Sequence, residues 1–481
     1  MKFMKKKFEI IFLVLLFLLA FGVRLPKINQ PLADWHSFRQ ADTSAVARHY
    51  VNYGYDLLIP RYDDLSSIQS GIDNLEGYRF VEFPFYNFMH AITYDLFSFL
   101  NFELLNFEGT GRLVSILFWL IGGIYLYLLV KKLTNIKTAF ISLFFYLFLP
   151  FGIFYSRTIL PEPTMVGLIL ISSYYFLDWT YNLKNRPLAI SLLTGILAIL
   201  VKPYSIFLLG PFYFLGFIKK KKIILGVIFA ALLFIPFIVW REWMSRFPSG
   251  IPSNQWLFNA GGMRFMPAWW RWLFGERIGK LILGYWGTAL LIPGLIKKFN
   301  HKNIYLFSWI AGIFIYFSIF ARGNIQHDYY QIITIPVLSV FAGMGVSKLL
   351  PKSFSWSKAH SYILIFFSVL FSIAMSWYQI KEYYIINNPV IIEAGMRADH
   401  LLPKDAKVIA PYNGDTAFLY QTNRKGWPVV NTDIEKIIEL GAEYYVSVNY
   451  DQTTNQLIDQ KYEIIEQNDR YIIIDLLKKA N

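Results

Sequence analysis

Long apolar runs recur along this 481-residue chain, and they constrain its fold more than any other feature. A helix that crosses the hydrocarbon core of a bilayer, about 30 Å thick, needs about 20 mostly apolar residues. The runs predict about eleven transmembrane helices, at residues 8–25, 111–130, 138–155, 164–181, 188–201, 203–218, 223–240, 279–296, 304–320, 331–349 and 361–379. We therefore expect a polytopic α-helical membrane protein.

Two of these assignments have alternatives. The first run follows a lysine cluster like a secretion signal, but it lacks a small-residue cleavage site, so we interpret it as a retained helix. The runs 188–201 and 203–218 are short and flank Lys202. If they formed one kinked helix, every later connection would change sides of the membrane.

The basic residues between the runs predict the orientation, because cytoplasmic loops are enriched in Lys and Arg. With a cytoplasmic N-terminus, the cytoplasmic connections hold Lys131, Lys132, Lys137, Lys184, Arg186, Lys219–Lys222, Lys297, Lys298, Lys302, Lys348, Lys352 and Lys358. Among the acidic residues that follow the first run, only Asp178 lies near a predicted cytoplasmic end. We therefore expect a multi-pass protein of the plasma or inner membrane, with its C-terminus extracytoplasmic.

Three segments are too long to be simple connections. Residues 26–110 form a first exterior loop, within which 83–100 are predicted to form a helix in the membrane interface. Residues 241–278 are rich in Trp and predict a second interfacial loop. Residues 381–481 alternate short helices and strands, which predicts a small extracytoplasmic α/β domain following a transmembrane domain over 1–380.

In that C-terminal domain we expect helices near 390–402 and 453–459 and a third beginning at Thr432-Asp433. The expected strands are 407–411, 443–448, 462–466 and 471–476. We expect a structural role for the turn region from Gly414 to Trp427, although it could also contact substrate.

The net charge of +14 does not indicate a nucleic-acid partner. Residues 381–481 carry 11 basic and 15 acidic side chains, so the excess lies in residues 1–380, mostly in short connections. Charged residues make up only 16% of the chain, against roughly a quarter in soluble domains. Cysteine is absent, which excludes a disulfide framework and Cys-ligated metals.

Acidic and basic residues collect at the predicted exterior ends of several spans. The acids are Asp34, Asp42, Glu82, Glu162 and Asp328, and the cations are Arg39, Arg48, Arg157, Lys202 and Arg322. Both types would be needed to act on an anionic lipid, because cations neutralise a phosphate while a carboxylate accepts a proton from an attacking hydroxyl.

Several of these residues also have purely structural interpretations. Glu82 could cap the interfacial helix, and Glu162 could favour a helix N-terminus. Lys202 could extend its ammonium to the interface. The cluster His327, Asp328, Tyr329 and Tyr330 could belong to an aromatic belt.

The strongest local signal is the sequence DWHSFRQADTSAVAR, which begins at Asp34 and ends at Arg48. If residues 37–52 are helical, Arg39 and Asp42 lie one turn apart on a shared face. The plainer interpretation is an exterior amphipathic helix with solvated ion pairs.

With this motif, the chain resembles the GT-C membrane glycosyltransferases, in the family 39-type branch of protein mannosyltransferase-like and lipid A aminoarabinose transferase-like enzymes. Three further stretches carry the resemblance: EFPFYNFMHAITY from Glu82, YSRTILPEPTMV around Glu162, and HDYYQIITIP from His327. Order and spacing match over about 350 residues. The resemblance implies a GT-C fold.

The resemblance also implies catalytic residues. Many relatives carry an adjacent Asp-Glu pair in the first exterior loop, and this chain does not. Either Asp34 or Asp42 could be the base, with Glu82 a further candidate. We prefer Asp34, which leads the motif, and expect Asp42 to orient Arg39 through an ion pair.

The implied reaction moves a sugar from a polyprenyl phosphate to an extracytoplasmic glycan, lipid or protein, with inversion in a single displacement. Arg39, Arg48, Lys202 and Arg322 are the candidates to stabilise the departing phosphate. The other expected substrate-binding residues are Gln40, Glu162, His327, Asp328, Tyr329 and Tyr330.

Membrane lipids are the other expected partners, and no cofactor is implied with certainty. A His327-Asp328 pair could bind a divalent metal together with Asp34 or Glu162, but no ligand spacing supports this, so metal dependence is left open.

Two other function classes compete with the transferase. A transporter or flippase of polyprenyl-linked lipids or glycans usually places ionisable residues near the middle of the bilayer and often contains inverted repeats. The predicted spans hold almost no central charges, and no internal repeat is evident. A non-catalytic scaffold would leave the clustered acids and cations unexplained. The sugar and the acceptor stay open.

Overall fold

The computed structural model of the protein describes residues 2–351 and 359–479. The α-helices in these ranges are α1 (Lys2–Gly22), α2 (Ser37–Tyr53), α3 (Phe85–Phe99), α4 (Phe107–Leu133), α5 (Ile136–Phe148), α6 (Pro150–Tyr155), α7 (Glu162–Asn182), α8 (Asn185–Val201), α9 (Ile206–Lys219), α10 (Ile223–Met244), α11 (Pro267–Trp270), α12 (Thr288–Leu295), α13 (Ile304–Ile319), α14 (Gly323–Gln326), α15 (Ile335–Leu349), α16 (Ala359–Ile380), α17 (Val390–Leu401), α18 (Ala417–Gln421), α19 (Ile434–Glu439) and α20 (Gln452–Asp459). The 3-10 helices are Pro203–Ser205, Pro248–Gly250, Gln255–Leu257, Ala260–Phe265, Asp328–Thr334 and Lys381–Tyr384, and a π-helix spans Arg271–Ile282.

Helix occupies most of each of the eleven predicted runs, with two internal breaks. The run 138–155 is divided between α5 and α6 at Leu149, which has extended backbone angles because the following Pro150 disfavours a helical conformation. The run 279–296 is divided between the π-helix and α12, where Gly284 and Tyr285 have positive φ angles.

The chain reverses direction at Lys202. Ser191 on α8 and Tyr213 on α9 lie on opposite sides of Lys202, and their hydroxyl oxygens are 3.5 Å apart although the residues are 22 positions apart. In one continuous helix, residues so separated would be about 33 Å apart. The two runs therefore form an antiparallel pair of helices rather than one kinked helix.

Four helical segments in the described part of the chain are long and apolar enough to cross a membrane: Phe107–Leu133, Ile223–Met244, Asp328–Leu349 and Ala359–Tyr384. Shorter apolar helices are Ile136–Phe148, Asn185–Val201 and Ile304–Ile319. The protein is thus an apolar helical membrane protein, while the number of crossings stays a prediction. Lys352 and Lys358, two of the predicted cytoplasmic cations, lie outside the described residues.

The predicted interfacial segments are helical to different extents. Helix α3 coincides with the helix expected over residues 83–100. The region 241–278, which we expected to be a loop, contains the end of α10, short 3-10 helices, α11 and part of the π-helix. A sequence rich in Trp, Pro and Gly did not predict these short helices, because their apolar residues show no long helical period.

The chain folds into two compact units. One unit, called here the helical unit, comprises Met1–Ile28, Arg112–Trp240 and Asn254–Glu382. The other, called here the sheet unit, comprises Asn29–Gly111, Arg241–Ser253 and Tyr383–Asn481. The sheet unit thus contains most of the predicted first exterior loop as well as the C-terminal segment.

The sheet unit contains a five-stranded mixed sheet in the order β2-β1-β3-β5-β4. Its strands are β1 (Lys407–Ile409), β2 (Lys425–Trp427), β3 (Tyr444–Ser447), β4 (Tyr462–Gln467) and β5 (Ile472–Lys479). β1 pairs in parallel with β2 and β3, whereas β5 pairs antiparallel with β3 and β4. The predicted small α/β fold is confirmed, with α18 and β2 as additional elements.

The first loop completes one edge of this sheet. Leu65 donates its backbone N–H to the carbonyl of Gly426 at 2.7 Å, and Gly426 donates to Asp63 at 2.9 Å. The Leu65 side chain is fully buried among Ile409, Trp427 and other core residues. Gly426 leaves no room for a larger residue, because a Cβ there would lie 1.7 Å from the carbonyl oxygen of Val408.

Candidate functional site

Helix α2 carries most of the predicted first-loop motif, and it begins directly after a turn of the backbone at His36. His36, the residue before the helix, has a left-handed backbone conformation (φ 55°), which is uncommon for a residue other than glycine. Gln40 donates its amide to Asp34 Oδ1 at 2.8 Å and to the carbonyl of Trp35 at 3.0 Å. The turn therefore brings the buried carboxylate of Asp34 against the first turn of the helix.

Arg39, on the same helix, forms a buried ion pair with Glu82. Its Nη2 lies 2.7 Å from Oε1 and 2.8 Å from Oε2, and both side chains are only 7% exposed. Glu82 is three residues from the start of α3, whose N-cap position is Pro84. The Glu82 carboxylate holds Arg39, and the N-cap position of α3 belongs to Pro84.

Asp42 is paired with Arg79, not with Arg39, so the expected Asp42–Arg39 ion pair was wrong. Arg79 Nη2 lies 2.6 Å from Asp42 Oδ2, which also accepts a 3.3 Å hydrogen bond from Gln69. The Thr416 hydroxyl is 2.7 Å from Oδ1. Both oxygens of Asp42 are therefore engaged, because arginine and threonine residues distant in sequence approach it from two sides.

These two ion pairs join the same pair of chain segments with opposite polarity. Arg39 and Asp42 are three residues apart on α2, and Arg79 and Glu82 are three residues apart on the facing segment. A cavity of about 10 Å³ lies among them, with Thr43 and Asn87 in its lining. That volume is about the minimum for one water molecule. We call these four charged residues the charge clamp.

Arg48, at the other end of the motif, is engaged by other residues of the sheet unit. Its Nη2 lies 2.5 Å from Asp63 Oδ2, its Nη1 donates to the carbonyl of Tyr420 at 3.1 Å, and its guanidinium lies 4.0 Å from the centre of the Tyr420 ring. Burial raises the pKa of Asp63, and the neighbouring Arg48 opposes that increase. These contacts give Arg48 a structural role.

The helical unit contains a second buried acid–cation pair. Glu162 is the first residue of α7, and its Oε1 lies 3.1 Å from Lys202 Nζ and 3.1 Å from the Tyr204 hydroxyl. Glu162 Oε2 is buried without a hydrogen-bond partner among the described residues. Lys202 is brought to this carboxylate by the reversal between α8 and α9. The pair places a fixed ammonium beside a carboxylate that retains accepting capacity.

The late motif from His327 extends the polar part of the helical unit. Tyr155 donates to Asp328 Oδ1, and Arg277 Nη1 lies 3.8 Å from Asp328 Oδ2. The ring of His327 stacks on Tyr329 at 5.4 Å. The ring of Tyr330 lies 6.0 Å from that of Tyr204. Aromatic contacts thus connect the His327 motif to the Glu162 pair.

Arg322, the last of the four cations predicted to stabilise the phosphate, precedes α14. Its Nε is buried and lacks a hydrogen-bond partner within residues 2–351 and 359–479. A buried Nε–H group of an arginine normally donates a hydrogen bond. It is therefore a candidate to contact a bound anion.

The predicted site residues fall into one group in each unit. The sheet unit holds Asp34, Arg39, Gln40, Asp42, Arg48 and Glu82, and the helical unit holds Glu162, Lys202, Arg322, His327, Asp328, Tyr329 and Tyr330. No set of three or more His, Asp or Glu side chains in the described ranges could hold a metal ion. Asp328 is instead in contact with Tyr155 and Arg277, and metal dependence stays open.

Sequence reasoning missed several partners of these residues. Arg79 had a recognisable signal, because it stands three positions before Glu82 as Arg39 stands three before Asp42. Tyr204 follows Lys202 by two residues and could have been grouped with it. Thr416 and Arg277 had no such signal, since neither is close in sequence to the carboxylate that it contacts.

The comparisons with known proteins agree with this architecture. The family described as dolichyl-phosphate-mannose-protein mannosyltransferase matches residues 84–240. The structure of ArnT from Cupriavidus metallidurans bound to undecaprenyl phosphate aligns with a TM-score of 0.65 at 14% identity, over 96% of this chain and 97% of that chain. Its apo state aligns with a TM-score of 0.66 at 14% identity, over the same shares of the two chains.

A second fold relative is the archaeal oligosaccharyltransferase AglB from Archaeoglobus fulgidus, solved with an inhibitory peptide and a dolichol-phosphate. It aligns with a TM-score of 0.60 at 12% identity, over 92% of this chain and 69% of that chain. No curated protein matches this chain. Residues 84–240 are thus similar to the mannosyltransferase family, and the fold over most of this chain is similar to the folds of ArnT and AglB.

Proposed function

We propose that this enzyme transfers a sugar from a polyprenyl-phosphate donor to an extracytoplasmic acceptor by a single inverting displacement. The observation that carries the proposal is the buried ion pair between Glu82 and Arg39, which follows Asp34 by five residues. A buried guanidinium held by a carboxylate is suited to a phosphate leaving group, because it needs little rearrangement as charge develops. ArnT with undecaprenyl phosphate and AglB with dolichol-phosphate support a lipid-linked donor for this fold.

Asp34 is our choice for the general base. A base must accept a proton from the acceptor hydroxyl, and Asp42 is poorly suited because Arg79 and Thr416 engage both of its oxygens. Glu82 is committed to Arg39 through both oxygens. Gln40 donates a hydrogen bond to Asp34 Oδ1, which fixes the orientation of this carboxylate.

We assign Arg39, in the sheet unit, to the donor phosphate, and we keep Lys202 and Arg322, in the helical unit, as separate candidates to bind an anion. Arg39 is held by Glu82 through Nη2, which fixes the position of its guanidinium. Lys202 is held by Glu162, and Arg322 has a buried Nε without a hydrogen-bond partner in the described part of the chain. Arg48 is removed from the assignment because Asp63 and Tyr420 occupy its guanidinium.

The proposed reaction follows from these roles. Asp34 removes the proton from the acceptor hydroxyl, whose oxygen attacks the anomeric carbon on the face opposite the phosphate. The bond between that carbon and the phosphate oxygen breaks through an oxocarbenium-like transition state. The electron pair leaves with the polyprenyl phosphate, whose growing negative charge Arg39 stabilises. The products are the inverted glycoside and the free lipid phosphate.

We further propose eleven membrane crossings, with a cytoplasmic N-terminus and the reaction on the extracytoplasmic side. The reversal at Lys202 supports counting α8 and α9 as separate crossings. The basic connections support the orientation. The acceptor class, whether glycan, lipid or protein, is left to experiment.

The direct test uses purified protein in detergent with radiolabelled sugars linked to undecaprenyl phosphate. We expect release of undecaprenyl phosphate and transfer of the label to an added acceptor without a membrane potential. Nucleotide sugars should not serve as donors. Transfer from a nucleotide sugar would reject the proposed donor, and flux confined to sealed vesicles would favour the transporter.

A further inference from the structure

We propose that Thr416 is a positioning residue for this reaction and that the C-terminal segment Asp415–Gln421 holds α2 in its working position. The inference rests on the proposed function, since it concerns the helix that follows the candidate base Asp34. Thr416 acts through Asp42 and is not itself in contact with substrate.

The hydroxyl of Thr416 is directed at α2 instead of its own helix. Thr416 is the N-cap residue of α18, where a threonine hydroxyl usually accepts a hydrogen bond from a backbone N–H of the first turn. No such bond is present here. The hydroxyl lies 2.7 Å from Asp42 Oδ1 and 3.1 Å from the carbonyl of Phe38. Because a hydroxyl donates one proton, the shorter contact with the charged acceptor should hold it.

The contact continues from Thr416 to the charge clamp. Asp42 accepts a hydrogen bond from the Thr416 hydroxyl on Oδ1 and one from Arg79 on Oδ2. The Thr416 hydroxyl therefore fixes the carboxylate that holds Arg79. Three residues after Arg79, Glu82 holds Arg39. Each residue in this series is less than a tenth exposed. A change at Thr416 can therefore alter the position of Arg39 without touching it.

A second set of contacts from the same segment fixes the remainder of α2. The Tyr420 hydroxyl donates to Glu108 Oε1 at 2.9 Å and lies 2.9 Å from the Ser44 hydroxyl. The backbone carbonyl of Tyr420 accepts a hydrogen bond from Arg48, and the Tyr420 ring lies beneath the Arg48 guanidinium. Gln421 donates to the carbonyl of Leu32, before the motif begins. The segment thus binds both the approach to α2 and the helix itself.

The Thr416→Val variant tests the proposal because valine keeps the shape of threonine and removes the donor. We expect turnover of an undecaprenyl-phosphate-linked sugar to fall roughly 10- to 100-fold, because small displacements of positioned groups are costly in rate. The KM for that donor should stay within about threefold of the wild-type value. A loss of turnover with little change in KM indicates that interactions in the transition state are weakened. Thr416→Ser restores the hydroxyl and should keep near-normal turnover.

A double variant tests whether Thr416 acts through Asp42. Thr416→Val added to Asp42→Asn should cost nothing beyond Asp42→Asn alone, since both changes interrupt one series of contacts. Independent losses would overturn the route through Asp42. Normal turnover in folded Thr416→Val would overturn the positioning role.

Hydrogen exchange separates this inference from the proposed function. Amides of residues 37–53 should exchange faster in Thr416→Val than in Thr416→Ser, while those of α7 and α8 should not change. If the wild-type protein transfers no sugar, the proposed function fails but this exchange comparison still tests the contact. Equal exchange of residues 37–53 in both variants would overturn it.

Discussion

The Nη2 atom of Arg39 lies 2.7 and 2.8 Å from the two carboxylate oxygens of Glu82, in a site where both side chains are only 7% exposed. Burying two charges is costly, and breaking such a pair leaves one of them uncompensated. The neighbouring Asp42–Arg79 pair has the reverse polarity. Together they specify one alignment of α2 with the facing segment, because a reversed alignment would bring like charges together.

Reversing the Arg39–Glu82 pair should separate its structural role from its chemical role. Arg39→Glu alone should lower stability by about 3–5 kcal/mol, since it brings two carboxylates together in a buried site. The double variant R39E/E82R should recover part of that stability. It should not recover turnover, because the guanidinium is displaced from the donor phosphate. Thermal unfolding and donor turnover give the two readouts.

The exposed Arg61–Glu76 pair provides a matched control within the same unit. Its side chains are 33% and 59% exposed, so its reversal should change stability by less than about 1 kcal/mol. Full recovery of turnover in R39E/E82R would contradict the assignment of Arg39 to the phosphate.

The candidate bases can be distinguished by asparagine substitution. Asp34→Asn keeps the shape of the side chain but cannot accept a proton, so turnover should fall roughly 10²–10⁴-fold with donor affinity little changed. Asp42→Asn should have an intermediate effect through its weakened bond to Arg79. Turnover and donor binding, measured on folded protein in detergent, test both expectations.

Two outcomes would reassign the base. Near-normal turnover in Asp34→Asn together with inactive Asp42→Asn would transfer the role to Asp42. If both variants stayed active, the first loop would not be the catalytic centre, and Glu82 or Glu162 would have to be tested next.

The sequence predicted the helical segments well because an apolar run of membrane length has few alternatives. The strands of the C-terminal segment were predicted where apolar residues are consecutive, as in β5. The strand Lys425–Trp427 was missed because it has only three residues, one of them glycine. Sequence patterns thus predict long helices and apolar strands better than they predict short strands at the edge of a sheet.

The candidate site was predicted in part. The site residues of α2 lie within a few positions of one another in the sequence, so helix geometry predicts which of them are close in space. The partner of Asp42 was predicted incorrectly, since Arg39 and Arg79 are both within reach of a carboxylate in principle and only tertiary packing selects one. Thr416 lies 374 positions from Asp42, a separation over which no local rule operates.

Stability of the sheet unit should depend on the protonation of Asp64. Burial raises the pKa of this fully buried carboxyl to about 7, and hydrogen bonds from Ser66 oppose that increase. The folded protein therefore binds this proton more tightly than the unfolded chain. Its contribution to the free energy of unfolding is full at low pH and decreases as pH rises from about 4 to about 7.

The Asp64→Asn variant isolates this effect, because asparagine resembles the protonated acid. The wild-type melting temperature should decrease more than that of the variant between about pH 5 and about pH 8. Burial lowers the pKa of His49 to about 4, with Lys425 and Arg61 contributing, so His49 acts in the opposite direction in both proteins. Identical pH profiles would refute the role of Asp64.

The proposed topology is testable with reporter fusions. Fusions after residues 134, 185, 221 and 299 should report the cytoplasm, and one after residue 430 should report the exterior. The fusion after residue 354, which falls outside the described residues, should also report the cytoplasm. A cytoplasmic signal at 430 would contradict the eleven-span count and the exterior location of Lys202.

The pairing of Leu65 with Gly426 has a consequence for how the protein is made. A ribosome synthesises residue 65 long before residue 426, so the early segment must wait for nearly the whole chain before its backbone groups find their partners. During that interval Leu65 lacks the core that later buries it. Chains that stall or terminate before the last strands would carry an exposed Leu65 side chain and unpaired backbone groups beside it, which are features that quality-control proteases and chaperones bind.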